Sequence, residues 1–145
     1  MKRIRNQKGA ALLETAVTIP LVLAVCVAIF EFGRAYQTWQ ILTNAAREGA
    51  RMAVLADPSN SNIENRVRDY MAAGQLSEYA AAGVDINRSA SFTVNGNPVS
   101  ASQVSIDYPF SFIVLQPVAR LVAPTTSLGG AVVMHAQALM RNETQ

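Results

Sequence analysis

The sequence predicts an α+β chain in which a long N-terminal helix is followed by a short second helix and a small antiparallel sheet of about three strands. Three observations lead to this prediction. An apolar run covers residues 10–30, a helical spacing of apolar residues continues to about residue 56, and beyond Gly83 apolar and polar residues alternate with a period of two. The long helix is therefore predicted to have a membrane-spanning first half and an amphipathic second half.

The composition agrees with one small domain attached to an anchor. The chain has 145 residues, half of them hydrophobic and 15% charged, whereas soluble domains contain about 25% charged residues. Four of the 12 basic residues and none of the 10 acidic ones lie in residues 1–9, so the rest of the chain carries a net charge of −2. No basic stripe remains for phosphate binding, which excludes nucleic acid as a partner. A single cysteine excludes an internal disulfide.

The first element is a helix predicted over residues 10–56. Its first part, residues 10–30, has 21 residues, and a helix of that length covers about 30 Å, the hydrocarbon thickness of a bilayer. The basic residues in front of it favour a cytoplasmic N-terminus and an exported C-terminus. Its second part, residues 31–56, is the exported continuation. Apolar residues recur there every three or four positions, at Trp39, Leu42, Ala46, Gly49 and Ala53.

Residues 57–145 form the exported α+β domain in this interpretation. A second helix is expected after Asn60, with Ser61 and Glu64 as a capping box and Gly74 at its end. The turn signal at residues 95–98 separates two alternating runs, which predicts a hairpin. A last strand is predicted over residues 131–140.

The polar leader, residues 1–9, ends in a glycine that lies in front of the apolar run. A secretory signal peptide instead carries its small-residue cleavage site behind its apolar core. Gly9 is followed five positions later by Glu14, the one charged residue of the run. This arrangement resembles the type IV prepilin processing site, at which a membrane peptidase cuts after glycine and leaves the apolar helix on the product. The resemblance implies cleavage between Gly9 and Ala10.

Two motifs downstream of the leader extend the resemblance over roughly residues 7–55. They are Glu31-Phe32-Gly33-Arg34 and the run from Thr43 to Arg51. Together with the leader they resemble the TadE-like pseudopilins, minor subunits of the tight adherence (Flp pilus) secretion system. The residues that correspond to the family motif are Glu31, Phe32, Gly33, Asn44, Arg47, Glu48, Gly49 and Arg51.

The resemblance implies a function in assembly. It implies a minor subunit that is processed after Gly9, held in the bacterial inner membrane by a single span, and then assembled through its apolar helix into a pilus or its secretion apparatus, in support of adhesion and biofilm formation. The partners that it implies are a prepilin peptidase, other pilin or pseudopilin subunits, and an inner-membrane platform with its motor ATPase and an outer-membrane pore. It implies no cofactor.

The cost of a charge inside the span gives Glu14 two interpretations. An ionised carboxylate at the centre of a bilayer costs on the order of 3 kcal/mol, and less near one end of the span. Cleavage after Gly9 creates an α-amine on Ala10 with a pKa of about 8, and in an assembly this amine of one subunit can neutralise Glu14 of its neighbour. Alternatively, Glu14 reaches the cytoplasmic interface as a tolerated polar residue.

Other interpretations compete with this one. An uncleaved single-span membrane protein would use its exported domain to scaffold or bind partners, and it would keep its leader. No catalytic motif is present, and neither Cys26 nor His135 has neighbours in the sequence that form a ligand set, so we expect neither an enzyme nor a metal site. The small residues of the outer helix face either another subunit or the chain's own sheet. The apolar stretch 110–122 is either core or a subunit interface.

Overall fold

A computed structural model describes residues 7–55, 59–122, 125, 127 and 129–142. The elements, in chain order, are α1 (Gln7–Ala53), α2 (Asn60–Ala73), β1 (Gly83–Val94), β2 (Asn97–Phe110), α3 (Leu115–Val122) and β3 (Val132–Arg141). This confirms the predicted α+β class with one long helix, a short second helix and a three-stranded antiparallel sheet. Two compact units are present. One consists of α1 up to Arg34 together with Phe112–Gly129, and the other consists of Ala35–Ser111 together with the chain from Gly130.

Helix α1 is 47 residues long and continues through Pro20. By length and composition it is able to cross a membrane, and the side chains of residues 10–26 are exposed, as expected of a surface that contacts lipid. The hydroxyls of Thr15 and Thr18 donate to the carbonyl oxygens of Ala11 and Glu14 at 2.9 and 2.8 Å, so these polar groups are satisfied within the helix. The helix ends at Ala53, slightly before the predicted limit; residues 56–58 lie outside the described residues.

The N-cap of helix α2 lies two residues earlier than predicted. Its N-cap is Ser59, whose hydroxyl accepts a hydrogen bond from the backbone N–H of Asn62 at 3.2 Å. The predicted capping box at Ser61 and Glu64 is therefore wrong, because both residues lie inside the helix. Glu64 instead accepts from the guanidinium of Arg68 at 2.8 Å. Two serines in the sequence Ser-Asn-Ser offered the same cap chemistry.

The sheet has the order β1-β2-β3, and both pairs of strands are antiparallel. Val94 and Asn97 pair across a two-residue turn in which Asn95 and Gly96 have φ angles of 50° and 81°. Positive φ at both central residues is the requirement of the type I′ hairpin turn, so the predicted hairpin is confirmed. The register of β1 shifts between Asn87 and Ala90, where the Asn87 side chain accepts from the backbone N–H of Ser89.

The core of the second unit lies between the outer half of α1, helix α2 and strand β2. The alternation along β2 places one set of side chains in this core: Val104, Ile106, Tyr108 and Phe110. Helix α2 contributes Ile63, Val67 and Met71. The small residues of α1 are buried here as well, at Ala45, Ala46, Gly49, Ala50 and Ala53. Of the two interpretations of these small residues, packing within the chain's own domain is therefore the one observed.

Candidate functional site

The structure gives the first motif residue, Glu31, a specific role. Its side chain is 1% exposed, and one carboxylate oxygen, Oε1, accepts hydrogen bonds from the backbone N–H groups of Val114 and Leu115. The other oxygen, Oε2, accepts from Nη1 of Arg34 at 2.8 Å. Glu31 therefore joins the helix that carries the apolar span to the start of α3, 83 residues further along the chain.

These contacts also determine the charge state of Glu31. Burial raises the pKa of this carboxyl, but the hydrogen bonds from Val114 and Leu115, with the hydrogen bond and charge of Arg34, outweigh burial. The net result is a pKa below the ordinary value of 4.5. At neutral pH Glu31 is thus an anion at a helix N-terminus, where unpaired N–H groups and the helix dipole favour negative charge.

Helix α3 takes an acceptor from elsewhere in the chain because its N-cap residue supplies none. The carbonyl of Val114 accepts the first helical hydrogen bond, from the N–H of Val118 at 3.1 Å, so Val114 occupies the N-cap position. Valine has no side-chain oxygen for this purpose and is a poor N-cap residue. Pro117 lies in the first turn and has no N–H that would need a partner. Glu31 accordingly performs the function that Ser59 performs for α2.

Gly129 packs against the same end of α3. A Cβ at this position would lie 2.6 Å from the backbone nitrogen of Gln116 and 2.9 Å from its Cα. Its φ angle of +72° is also one that residues with a Cβ rarely adopt. The returning chain thus approaches α3 backbone to backbone, on a position that only glycine fits.

Two residues of the first motif, Phe32 and Gly33, face outward. Phe32 is 67% exposed. A Cβ on Gly33 would meet no atom of the described residues within 4 Å, so packing against this part of the chain does not require a glycine. Exposed apolar surface on a monomer is typical of an interaction site with protein or lipid. The motif therefore combines two residues that serve the chain's own fold, Glu31 and Arg34, with two that are open to a partner.

The second motif belongs to the other unit and is mostly structural. Gly49 is buried, and a Cβ there would lie 2.5 Å from a methyl group of Val67 and 3.2 Å from one of Val104. Glu48 accepts from the guanidinium of Arg66 at 2.9 Å. Asn44, Arg47 and Arg51 are exposed, with a long contact of 3.5 Å between Arg47 Nη1 and Asn44 Oδ1.

The predicted processing and docking residues lie at the start of α1. Gly9 and Ala10 are in its first turn, and the side chains of Ala10 and Glu14 are exposed. Processing after Gly9 and docking through Glu14 remain predictions. The structure does not bring Gly9, Ala10 or Glu14 into contact with the two motifs.

The described part of the chain contains no cluster of three or more metal-ligating side chains. His135 lies 2.6 Å from Asp107 across strands β3 and β2, and both side chains are more than half exposed. Such a pair on an exposed sheet face stabilises by at most about 1 kcal/mol. Cys26 is exposed on the apolar part of α1.

Sequence reasoning named Glu31 but did not identify what it does. The acceptor and its two donors are 83 and 84 residues apart, and a pattern within one sequence window does not reveal such a pair. Its position gave no such signal either, because a carboxylate at the end of a span costs much less than one at its centre.

Comparison with known proteins identifies the N-terminal part of the chain. Residues 9–51 match the family described as TadE-like protein. The match falls within residues 7–55, over which the sequence motifs indicated this resemblance, and confirms it. No curated protein and no solved structure matches the chain.

Proposed function

Since residues 9–51 are a TadE-like segment, we propose that the chain is a minor pilin or pseudopilin subunit of a Tad (Flp) pilus or its secretion apparatus. The observation that carries the proposal is the position of the match. It covers the apolar half of α1, with its exposed side chains, and both motifs. A structural subunit of this kind acts by assembly and is not an enzyme.

In this proposal residues 1–9 are a cytoplasmic leader, residues 10–30 the span, residues 31–56 its exported continuation, and residues 57–145 the periplasmic or extracellular domain. A prepilin peptidase cuts between Gly9 and Ala10. The new α-amine of Ala10, with a pKa of about 8, is then positively charged near the membrane surface. Glu14 follows Ala10 by four residues and therefore lies on the same side of the helix. When two subunits pack on this side, the amine of one and the carboxylate of the next can neutralise each other.

The exposed apolar surface of α1 supports assembly after processing. In the bilayer it contacts lipid chains, and in a pilus the same surface packs against the corresponding helices of other subunits. Phe32 and Gly33 extend this surface just beyond the span. A small residue such as Gly33 permits close approach of a neighbouring helix backbone.

The partners in this proposal are the prepilin peptidase, other pilin or pseudopilin subunits, the lipid bilayer, and an inner-membrane platform with its motor ATPase. The membrane-resident form has a cytoplasmic N-terminus, in line with the four basic residues of the leader. The assembled form is associated with the pilus at the cell surface, where it supports adhesion and biofilm formation.

Intact-mass analysis with N-terminal sequencing tests the processing step. The protein is purified from membranes of its native host, with the peptidase gene present or deleted, as wild type and as the Gly9→Leu variant. We expect a product that starts at Ala10 only when both the peptidase and Gly9 are present. A wild-type chain that still starts at Met1 in cells with an active pilus system would refute the proposal and favour an uncleaved membrane protein that scaffolds partners.

Assembly is tested separately from processing. Gly33→Leu fills open space in the chain, so we expect normal folding and normal cleavage but reduced incorporation into pili. Phe112 is in the same unit but outside the TadE-like segment, and Phe112→Leu is the control. Incorporation of Gly33→Leu at the wild-type level would show that this face contacts no subunit.

A further inference from the structure

We propose that helix α3, with the segment 112–114 that leads into it, lies on the outer surface of the membrane and contacts lipid. This proposal concerns the membrane-resident chain. It requires that α1 spans the bilayer, but it does not require cleavage after Gly9 or assembly into a pilus, so it can fail independently of them.

The position of α3 relative to the bilayer follows from its attachment to Glu31. The span ends at Phe30, and each residue of a helix advances about 1.5 Å along its axis. Glu31 is thus at the boundary between hydrocarbon and headgroups. Since the N–H of Leu115 lies 3.3 Å from the Glu31 carboxylate and that of Val114 lies closer, the first turn of α3 is held within about one side-chain length of that boundary.

The side chains at this level suit a lipid surface. Ile113 and Val118 are 59% and 40% exposed, and Phe30 and Phe32 of α1 are also exposed in the same unit. Apolar side chains of interfacial helices are inserted between the headgroups and the upper acyl chains. The exposed apolar surface of the span therefore continues onto α3 at the depth where such side chains are stable.

The charges of this segment agree with the same partner. Residues 111–131 contain no acidic residue and one basic residue, Arg120. An arginine in such a segment extends its guanidinium to lipid phosphates while its aliphatic part remains on the apolar surface. Glu31, which accepts from the first turn of α3, is buried and paired, so its carboxylate does not repel anionic headgroups.

The proposal is tested on the full chain, with one molecule in each lipid nanodisc of phosphatidylethanolamine and phosphatidylglycerol. Cys26→Ala removes the natural thiol, and spin labels are attached to single cysteines at Val118, at Val22 within the span, and at Thr93 in the exposed part of β1. Collision with oxygen, which concentrates in lipid, is compared with collision with a water-soluble nickel chelate.

We expect the ratio of oxygen to chelate accessibility at Val118 to exceed that at Thr93 by about threefold or more, and to fall below that at Val22, as for an interfacial depth. Glu31→Ala should lower the Val118 ratio towards the Thr93 value, because the attachment of α3 is lost. An unchanged ratio in Glu31→Ala would overturn the role of Glu31 in placing α3.

Three other outcomes would overturn the proposal, each for a different reason. A Val118 label as accessible to the chelate as Thr93, with Val22 in lipid, would place α3 in water. A Val118 label shielded from both reagents would mean that protein covers α3. An aqueous Val22 label would refute the membrane span itself.

Discussion

The cap that Glu31 provides for α3 leads to a quantitative prediction for Glu31→Ala. The substitution removes the acceptor of two backbone N–H groups, and an unsatisfied N–H costs about 1–3 kcal/mol when it remains buried. Val114 and Leu115 are only half-buried, so water replaces part of the lost hydrogen bonding. The cost is then at the lower end of this range, about 1 kcal/mol for each N–H group. We expect the local opening of α3 to become easier by about 2 kcal/mol, which corresponds to about 30-fold faster amide exchange.

Hydrogen exchange with mass spectrometry, on the full chain in detergent micelles, measures this effect in the peptides that cover residues 112–122. Glu31→Gln keeps an acceptor oxygen but loses the charge, so its effect should be intermediate. Glu48→Ala removes a carboxylate with an ion pair in the other unit and serves as the control. Exchange of α3 in Glu31→Ala within about threefold of wild type would refute the capping role, because a loss of that size is under 1 kcal/mol.

The same contact predicts a pH dependence with a definite sign. The pKa of Glu31 is lower in the folded chain than its ordinary value of 4.5. Its contribution to stability is therefore fully present above about pH 5 and is lost as the pH falls through the folded pKa. After correction for intrinsic exchange rates, protection of α3 should decrease below pH 4.5 in wild type. Glu31→Gln should not show this decrease.

Three further substitutions have expected outcomes for thermal stability in detergent. Gly49→Ala should destabilise by about 1–2 kcal/mol, because overpacking against two stiff valines exceeds the gain in helix propensity. Gly33→Ala, in open space, should instead stabilise by up to about 1 kcal/mol. A higher melting temperature for Gly49→Ala would contradict the close packing of Gly49. Arg68→Lys should lower the free energy of unfolding by about 1–2 kcal/mol, since Nη1 of Arg68 donates to the carbonyls of Tyr79 and Ala80 at 2.9 Å while the same guanidinium binds Glu64. An unchanged melting temperature would show that these hydrogen bonds of the guanidinium do not contribute to stability. His135→Ala should change the free energy of unfolding by less than about 1 kcal/mol, because its pair with Asp107 is exposed; a larger loss would mean that the pair does more than its exposure indicates.

Much of the fold was predictable because its signals are local. The apolar run and the three-to-four spacing beyond it predict α1, and Asn95-Gly96 predicts the hairpin, since few residues other than these tolerate positive φ. The alternation along β2 predicts which of its side chains are buried. Each of these patterns lies within a window of about 20 residues or fewer, so a single sequence is sufficient.

Helix α3 was not predictable in this way. It has eight residues and its N-cap position is a valine, so neither length nor a capping residue distinguishes it from a strand or a loop. Its cap is supplied by a side chain on α1. The stretch 110–122 is correspondingly divided, with Phe110 buried in the sheet unit and α3 in the other unit. The sequence also placed Trp39 on the same apolar face of α1 as Leu42. Trp39 is 48% exposed, because the apolar core begins only at Leu42.

The distance along the chain between Glu31 and its two donors has a consequence for biogenesis. In the proposed orientation the N-terminal helix inserts first, and residues 32–113 follow before Val114 leaves the export machinery. Throughout that time the Glu31 carboxylate has Arg34 but neither backbone donor, and closing so long a loop is slow compared with forming a local helix. Docking of α3 is thus among the last steps of maturation. A chain that stalls before residue 114 therefore leaves Glu31 paired with Arg34 but without the two backbone N–H groups that bind it in the complete chain.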